Sequence, residues 1–91
     1  MEIEGSVFLI TGGASGLGLG AAERMIARGG KAVLLDLNEE AGRRAVEDLG
    51  KAVRFIACDV SDPDQVRGAV SGAKESFGRL DVLVNAAGVA P

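Results

Sequence analysis

The stretch Thr11–Gly18, which reads TGGASGLG, constrains the fold of this chain more than any other. It follows the apolar run 7–10, which is typical of a strand buried on both faces, and it opens a helical pattern. A strand that ends in a glycine-rich turn and leads into a helix presents backbone N–H groups at the positive end of the helix dipole. We therefore expect unshielded amides beside Gly12 that bind a phosphate or pyrophosphate.

Two glycine spacings compete within this stretch. Gly16, Gly18 and Ala21 fit the common G-x-G-x-x-G/A fingerprint, whereas Gly12, Gly16 and Gly18 fit a T-G-x-x-x-G-x-G spacing. The tight turn should follow the end of the strand at once, which Gly12 does and Gly16 does not. We therefore adopt the second spacing, in which glycine supplies positive φ and close backbone approach. Ser15 lies inside this loop, where its hydroxyl is placed to bond a ligand.

Composition excludes several classes of protein. The 91 residues are 47% hydrophobic and carry a net charge of −3, which predicts one domain over 1–91 and argues against binding to nucleic acid or to a membrane. The lone Cys58 excludes an intrachain disulfide and indicates a reducing compartment, so we expect a cytoplasmic protein with a buried, inert thiol. With a single cysteine and no histidine, a zinc site is not expected. Because the chain also has no tyrosine, most acid–base chemistry must come from elsewhere.

Strand and helix patterns alternate along the whole chain. Glycine, proline and Asn/Asp caps bound the strands 7–10, 32–35, 53–57 and 82–84 and the helices 17–28, 39–49 and 63–77. This alternation implies a parallel sheet with right-handed crossovers, in the order 3-2-1-4. We predict an α/β, Rossmann-type three-layer sandwich, with two helices on one face and the third on the other. A ligand is expected at the switch point between strands 1 and 4.

Acidic residues follow strands 2 and 3 at the predicted ligand-binding edge. The Asp36 carboxylate can accept two hydrogen bonds from a ribose diol and repel a 2′-phosphate. No basic residue at 13–15 or at Leu37 offsets it, so NAD is favoured over NADP. The alternative for Asp36 is a cap at a helix entry. Asp59 is placed to accept a hydrogen bond from an adenine amino group, with the Val60 N–H donating to the ring. A role of Asp59 as a turn residue is an equally good interpretation.

Asn85 ends strand 4, beside the glycine-rich turn. Its amide can tie strand 4 to a neighbour, or its backbone can contact the cofactor. The small residues 86–88 suit a flat wall against a nucleoside or close loop packing. The residues predicted to bind the cofactor are Gly12, Ser15, Gly16, Leu17, Gly18, Asp36, Leu37, Asp59, Val60, Asn85, Ala86, Ala87 and Gly88.

Taken together, these motifs resemble the short-chain dehydrogenase/reductase family. Thr11–Gly18 is similar to its T-G-x-x-x-G-x-G cofactor loop, Asn85–Gly88 to its N-A/N-A-G motif, and Asp59-Val60 to its adenine-contacting pair. The stretches 10–19 and 33–37 look most like the type II 3-hydroxyacyl-CoA dehydrogenase branch. The resemblance implies NAD-dependent hydride transfer between nicotinamide and a secondary alcohol or ketone, with 3-hydroxyacyl-CoA as a candidate substrate. It also implies a homo-oligomer.

The chain departs from the family pattern in what it lacks. The family's catalytic Ser and Tyr-x-x-x-Lys lie beyond the matched region, and this chain has no tyrosine, so no residue in it is predicted to be catalytic. The chain therefore resembles the cofactor-binding half of a dehydrogenase. We expect Val82, Leu83 and Val84 to be exposed beside an unpaired edge strand, which favours aggregation or pairing with another chain. A stand-alone dinucleotide-binding module is the alternative function, and a purely structural interaction fragment is a weaker one.

Overall fold

A computed structural model describes residues 3–14 and 16–86. In this part of the chain, four strands and three α-helices alternate, and a short 3₁₀-helix (Gly50–Ala52) precedes the third strand. The elements are β1 (Val7–Thr11), α1 (Gly16–Ala27), β2 (Lys31–Asp36), α2 (Glu39–Leu49), β3 (Val53–Ala57), α3 (Pro63–Phe77) and β4 (Val82–Asn85). The predicted bounds of α2, β3 and α3 are confirmed, and α1 begins and ends one residue earlier than predicted.

The strands form one parallel sheet in the order β3-β2-β1-β4, which confirms the predicted topology. Three strands continue one residue past their apolar runs, because Thr11, Asp36 and Asn85 still pair with the neighbouring strand. Thr11 pairs with Leu35 on one side and with Asn85 on the other. The polar ends of β1, β2 and β4 therefore lie together at the carboxyl edge of the sheet.

The alternating side chains of β1 and β2 divide the core into two layers. One face of the sheet packs against Ala69 and Ala73 of α3 and against the half-buried apolar residues next to them. The buried strand residues on this face are Val7, Leu9, Val33 and Leu35. On the other face, the buried residues lie under α1 and α2: Phe8, Ile10, Ala22, Ala32, Leu34, Ala45 and Val53. Two helices cover one face and one covers the other, as predicted.

The prediction that Val82, Leu83 and Val84 are all exposed is wrong for two of the three. Val82 and Val84 are half-buried and pack against the face that carries α1 and α2. Only Leu83 is exposed, at 62%, on the opposite face. The cause is the pleat of the strand, which sends successive side chains to opposite faces.

Asn and Asp caps start the helices as the sequence predicts. The Asn38 side chain accepts a hydrogen bond from the Ala41 N–H, and Asp62 accepts one from the Asp64 N–H ahead of a proline in the first turn of α3. Gln65, three residues after the Asp62 cap, does not complete a capping box with the Asp62 N–H; its Nε2 donates to Asp62 Oδ2 at 3.2 Å. Its Oε1 accepts from the Asp59 N–H at 2.8 Å, because the N–H of Asp62 already donates to the Asp59 carbonyl.

Asp81, just before β4, links the start of β4 to the start of β1 at the amino ends of the strands. Its Oδ2 accepts the Val7 N–H at 2.8 Å, and its own N–H donates to the Val7 carbonyl at 2.9 Å. Arg79 donates to both carboxylate oxygens, at 2.9 and 2.7 Å. The hydrogen bond from Arg79, followed by that from the Val7 N–H, holds the pKa of the Asp81 carboxyl below its ordinary value.

Within the described residues, none of the helices has both the length and the apolar character needed to cross a bilayer.

Candidate functional site

The glycine-rich turn begins directly after β1. Gly12 has φ +63° and Gly16 has φ +59°, a region that glycine adopts far more readily than other residues. Gly18 is buried in the first turns of α1, and a Cβ atom there would collide with the carbonyl oxygen of Gly12. The predicted roles of glycine are thus confirmed: positive φ at Gly12 and Gly16, close backbone approach at Gly18.

The amides beside Gly12 are not unshielded, contrary to the sequence-based prediction. The N–H groups of Gly12 and Gly13 both donate to the Leu35 carbonyl, at 2.7 and 3.2 Å. The turn stays within hydrogen-bonding reach of β2 after the β1 ladder ends, so its first amides are used for folding. The N–H groups suited to an anion are those of the first turn of α1, which have no intrahelical acceptor. Leu17 lies in this turn with its side chain 72% exposed.

A cavity of about 160 Å³ opens at the carboxyl ends of β1, β2 and β3. It brings together five of the residues predicted to bind the cofactor, which are far apart in sequence: Gly12, Asp36, Leu37, Asp59 and Val60. Leu35 and Cys58 complete its lining. Leu37 and Val60 are exposed apolar side chains, at 69% and 40%. The cavity therefore combines two carboxylates with apolar surface, a lining that suits a nucleoside.

Asp36 connects the turn to the end of β2. Its Oδ2 accepts the Ala14 N–H at 3.2 Å, and its Oδ1 accepts the Asn38 N–H at 3.1 Å. The N-cap of α2 is Asn38, and Asp36 accepts the N–H of that residue, so the predicted alternative role of Asp36 at the helix entry is observed. Its predicted role as a ribose acceptor stays a prediction. No ion pair within residues 3–14 and 16–86 includes Asp36.

Asp59 forms a local turn at the end of β3. Its Oδ1 accepts both the Ser61 hydroxyl, at 2.6 Å, and the Ser61 N–H, at 2.9 Å. These two bonds hold the pKa of the Asp59 carboxyl below its ordinary value, the hydroxyl having the larger effect. The turn role of Asp59 is thus observed, and its predicted role as an adenine acceptor stays a prediction.

Cys58 lies under this turn and is 2% exposed. Burial raises the pKa of its thiol above the ordinary value, and the charges of Asp59 and Asp62 raise it further. The prediction of a buried thiol is confirmed, and the raised pKa disfavours the reactive thiolate.

Asn85 pairs with Thr11, the last residue before the glycine-rich turn, in the β1–β4 ladder. The Thr11 hydroxyl, which is buried, donates to Asn85 Oδ1 at 2.8 Å. Asn85 therefore ties β4 to its neighbour, the first of its two predicted roles. Ala86 is half-buried against the α1–α2 face. Ser15, Ala87 and Gly88, also predicted to bind the cofactor, lie outside the described residues.

The sequence-based predictions missed two groups of this region. The Leu35 carbonyl accepts two turn amides, which no sequence pattern signals because any residue supplies the same carbonyl. Thr11 had a signal that was not used: a polar residue at the end of a strand buried on both faces requires a hydrogen-bond partner.

Comparison with known proteins places this geometry in a family. The family model described as "short chain dehydrogenase" matches residues 6–91. The chain belongs to the short-chain dehydrogenase family.

The chain is similar to named members of that family. It is 50% identical over 89 residues to the 3-hydroxyacyl-CoA dehydrogenase type-2 of Bos taurus, covering 98% of this chain and 34% of that protein. It is 42% identical over 94 residues to 15-hydroxyprostaglandin dehydrogenase [NAD(+)] of Homo sapiens, covering 98% and 35%. The chain thus spans about a third of the length of the curated relatives it matches.

Solved structures agree with this assignment. A short chain dehydrogenase/reductase from Burkholderia phymatum in complex with NAD matches with TM-score 0.87 and 38% identity, over 91% of this chain and 31% of that one. A 3-ketoacyl-(acyl-carrier-protein) reductase from Brucella melitensis complexed with NADH matches with TM-score 0.86 and 38% identity, over 89% and 33%.

Proposed function

We propose that this chain binds NAD at the carboxyl edge of its sheet, as the dinucleotide-binding part of a dehydrogenase that oxidises secondary alcohols. The observation that carries the proposal is the cavity in which Asp36 lies beside Gly12, Leu37, Asp59 and Val60. The ribose hydroxyls would donate to the Asp36 carboxylate, and the adenine would contact Asp59 and the apolar side chains of Leu37 and Val60. The pyrophosphate would lie at the first turn of α1. Ser15, Asn85, Ala86, Ala87 and Gly88 belong to the proposed site through their motifs.

The acceptor geometry of Asp36 fits a ribose. An ionised carboxylate has two oxygens with about four lone-pair positions. The N–H groups of Ala14 and Asn38 use one position on each oxygen. One acceptor position on each oxygen is left, which matches the two donors of a ribose diol.

The preference for NAD over NADP rests on charge. A 2′-phosphate placed beside Asp36 would face a carboxylate with no ion-pair partner among the described residues. Leu37, the next residue in the chain, offers no cation. The named relatives include an NAD(+) dehydrogenase, and the similar structures hold NAD or NADH, which supports the same preference.

The proposed substrate class is a secondary alcohol, specifically a 3-hydroxyacyl-CoA. Five relatives that are 41–50% identical to this chain carry the name 3-hydroxyacyl-CoA dehydrogenase type-2, which supports this choice. When bound, NAD supplies the nicotinamide that takes the hydride from the alcohol carbon. The hydroxyl proton needs a base, and with no tyrosine and no histidine this chain contributes cofactor binding rather than that base.

The absence of tyrosine and histidine also supports a second candidate, a dinucleotide-binding module without catalysis. The reading frame of the gene beyond the codon for Pro91 distinguishes the two candidates. A continuation that contains Tyr-x-x-x-Lys favours the dehydrogenase, and a stop codon favours the module.

Calorimetric titration of the chain with NAD and with NADP tests the proposal. We expect saturable binding of NAD and weaker binding of NADP. Absence of saturable binding for both would reject the two candidate functions alike, and tighter binding of NADP would reject the role given to Asp36.

A further inference from the structure

Three consecutive amides of the glycine-rich turn donate to the last two residues of β2. Gly12 and Gly13 donate to the Leu35 carbonyl, and Ala14 donates to the Asp36 carboxylate. Ala14 is 3% exposed and its hydrogen bond to Asp36 is partly buried, so water is a poor alternative partner for its N–H. A buried amide without an acceptor costs free energy, and Asp36 is the acceptor that removes this cost.

The same carboxylate receives a second amide from its other side. The Asn38 N–H donates to Oδ1, while the Ala14 N–H donates to Oδ2, so the two oxygens are held by different segments: the residue that caps α2 and the turn that follows β1. Two hydrogen bonds to different oxygens fix both the position and the rotation of a carboxylate. Rotation would break both bonds, and each is charge-assisted.

We propose that the backbone amides of Ala14 and Asn38 act as positioning groups, which hold the Asp36 carboxylate with its free acceptor positions toward the cavity before any ligand binds. The identity of the ligand, a ribose diol, rests on the proposed function, but the positioning does not. The carboxylate bears no rotamer cost on binding because its orientation is set during folding.

This positioning has a consequence for specificity that charge alone does not have. Glu at residue 36 keeps the negative charge but carries one more methylene, which moves its oxygens away from the two amides. Charge repulsion of a 2′-phosphate would persist, whereas the oriented acceptor pair would be lost. Charge and orientation are therefore separable by substitution at one residue.

Amide hydrogen exchange of the ligand-free chain, followed by NMR, tests the positioning directly. We expect the Ala14 amide to be protected in the wild type and to exchange about tenfold faster in Asp36→Ala, the effect of losing one hydrogen bond to a charged group. Asp62→Ala is the matched control, because it removes a carboxylate that accepts a different amide, that of Asp64. It should leave Ala14 exchange unchanged.

Equal Ala14 exchange rates in wild type and Asp36→Ala would overturn the proposal. If Asp36→Ala does not fold, the wild type decides alone, since an Ala14 amide that exchanges as fast as an unstructured one contradicts the hydrogen bond.

Nucleotide binding by Asp36→Glu supplies the second test. We expect its affinity for NAD to fall to within about threefold of that of Asp36→Ala, because orientation is lost in both, while NADP stays the weaker ligand. Wild-type NAD affinity in Asp36→Glu would reject the positioning role and leave the proposed function intact. If the wild type does not bind NAD, the proposed function fails and the exchange experiment decides the positioning.

Discussion

A carboxylate links neighbouring segments at each end of the parallel strands: Asp81 at the amino ends and Asp36 at the carboxyl ends. The two carboxylates differ in how many of their hydrogen-bond acceptor positions remain unused. At the amino edge, Asp81 accepts the Val7 N–H from 74 residues away, and both its oxygens also accept from Arg79. At the carboxyl edge, Asp36 accepts two backbone amides, and no ion pair of the described residues reaches it.

This difference separates a structural carboxylate from one suited to a ligand. Three donors occupy most of the acceptor positions of Asp81, and a guanidinium balances its charge. Asp36 keeps two acceptor positions and an unbalanced charge beside a cavity. Similar backbone bonds therefore fix the chain at both edges, but only one edge retains the capacity to bind.

Gly18→Ala should have the largest effect, because its Cβ would lie 2.8 Å from both the Gly12 carbonyl carbon and the Gly13 Cα and would push the turn away from the helix. We expect the free energy of unfolding to fall by about 1–3 kcal/mol and NAD binding to be lost. Gly20→Ala is the matched control, since a Cβ there meets no atom within 4 Å. Helix propensity predicts a gain of about 0.5–1 kcal/mol for it. Urea unfolding and NAD titration measure both, and equal effects of the two substitutions would contradict the close approach.

Asp36→Ala should weaken NAD binding by about a hundredfold, the loss of two hydrogen bonds to a charged group at about tenfold each. NADP binding should weaken less, because the repulsion of its 2′-phosphate is removed at the same time. Calorimetry with both nucleotides gives the two factors. An equal loss for NAD and NADP would argue against a ribose contact at Asp36.

Asp81→Ala should show the opposite pattern. Loss of the link to Val7 and of the Arg79 pair should lower the melting temperature by about 5 °C. The affinity for NAD should stay unchanged, because residue 81 lies at the other edge of the sheet. Calorimetric melting and NAD titration of the same sample check both, and a variant whose NAD affinity falls without a change in melting temperature would break the comparison.

The smallest expected effect is on the pH dependence of stability. The lowered pKa of Asp81 means that the ionised carboxylate is stabilised more in the folded state than in the unfolded state. Its contribution is present above the ordinary aspartate pKa and is lost as the pH falls below about 4, through the lowered pKa. The difference in melting temperature between wild type and Asp81→Asn should therefore shrink from pH 6 to pH 3. A constant difference over this range would show that charge is not involved.

Most of the fold was predictable because residues close in sequence determine where its helices and strands begin and end. Asn38, Asp62 and Gly78 cap helices with groups that act within one turn, and the alternation of strands and helices leaves few topologies. The approach of Asp36 and Asp59 was predictable for the same reason, since parallel strands bring their carboxyl ends to the same side of the sheet. The cavity itself lies at the ends of β1, β2 and β3 and not at the predicted switch point between β1 and β4.

The predictions that were wrong or incomplete at the ends of the strands concern hydrogen bonds whose partners the local sequence does not identify. The amides beside Gly12 were expected to be free, but the register of β1 against β2 gives them the Leu35 carbonyl. The Gln65 side chain bonds two residues at once, since it accepts the Asp59 N–H and donates to the Asp62 carboxylate, and sequence spacing points only to Asp62. Asp81 finds Val7 only after the sheet has formed, so no local pattern announces the bond.

The docking of the turn on two successive residues of β2 makes ligand recognition sensitive to strand alignment. Sliding β2 by one residue past β1 would move Asp36 to the opposite face and bring an aliphatic side chain in its place. A misaligned sheet could still pack its interior, yet it would fail to recognise a nucleotide. Retention on an immobilised nucleotide would thus serve as a proofreading assay, which separates correctly aligned molecules from compact but misregistered ones.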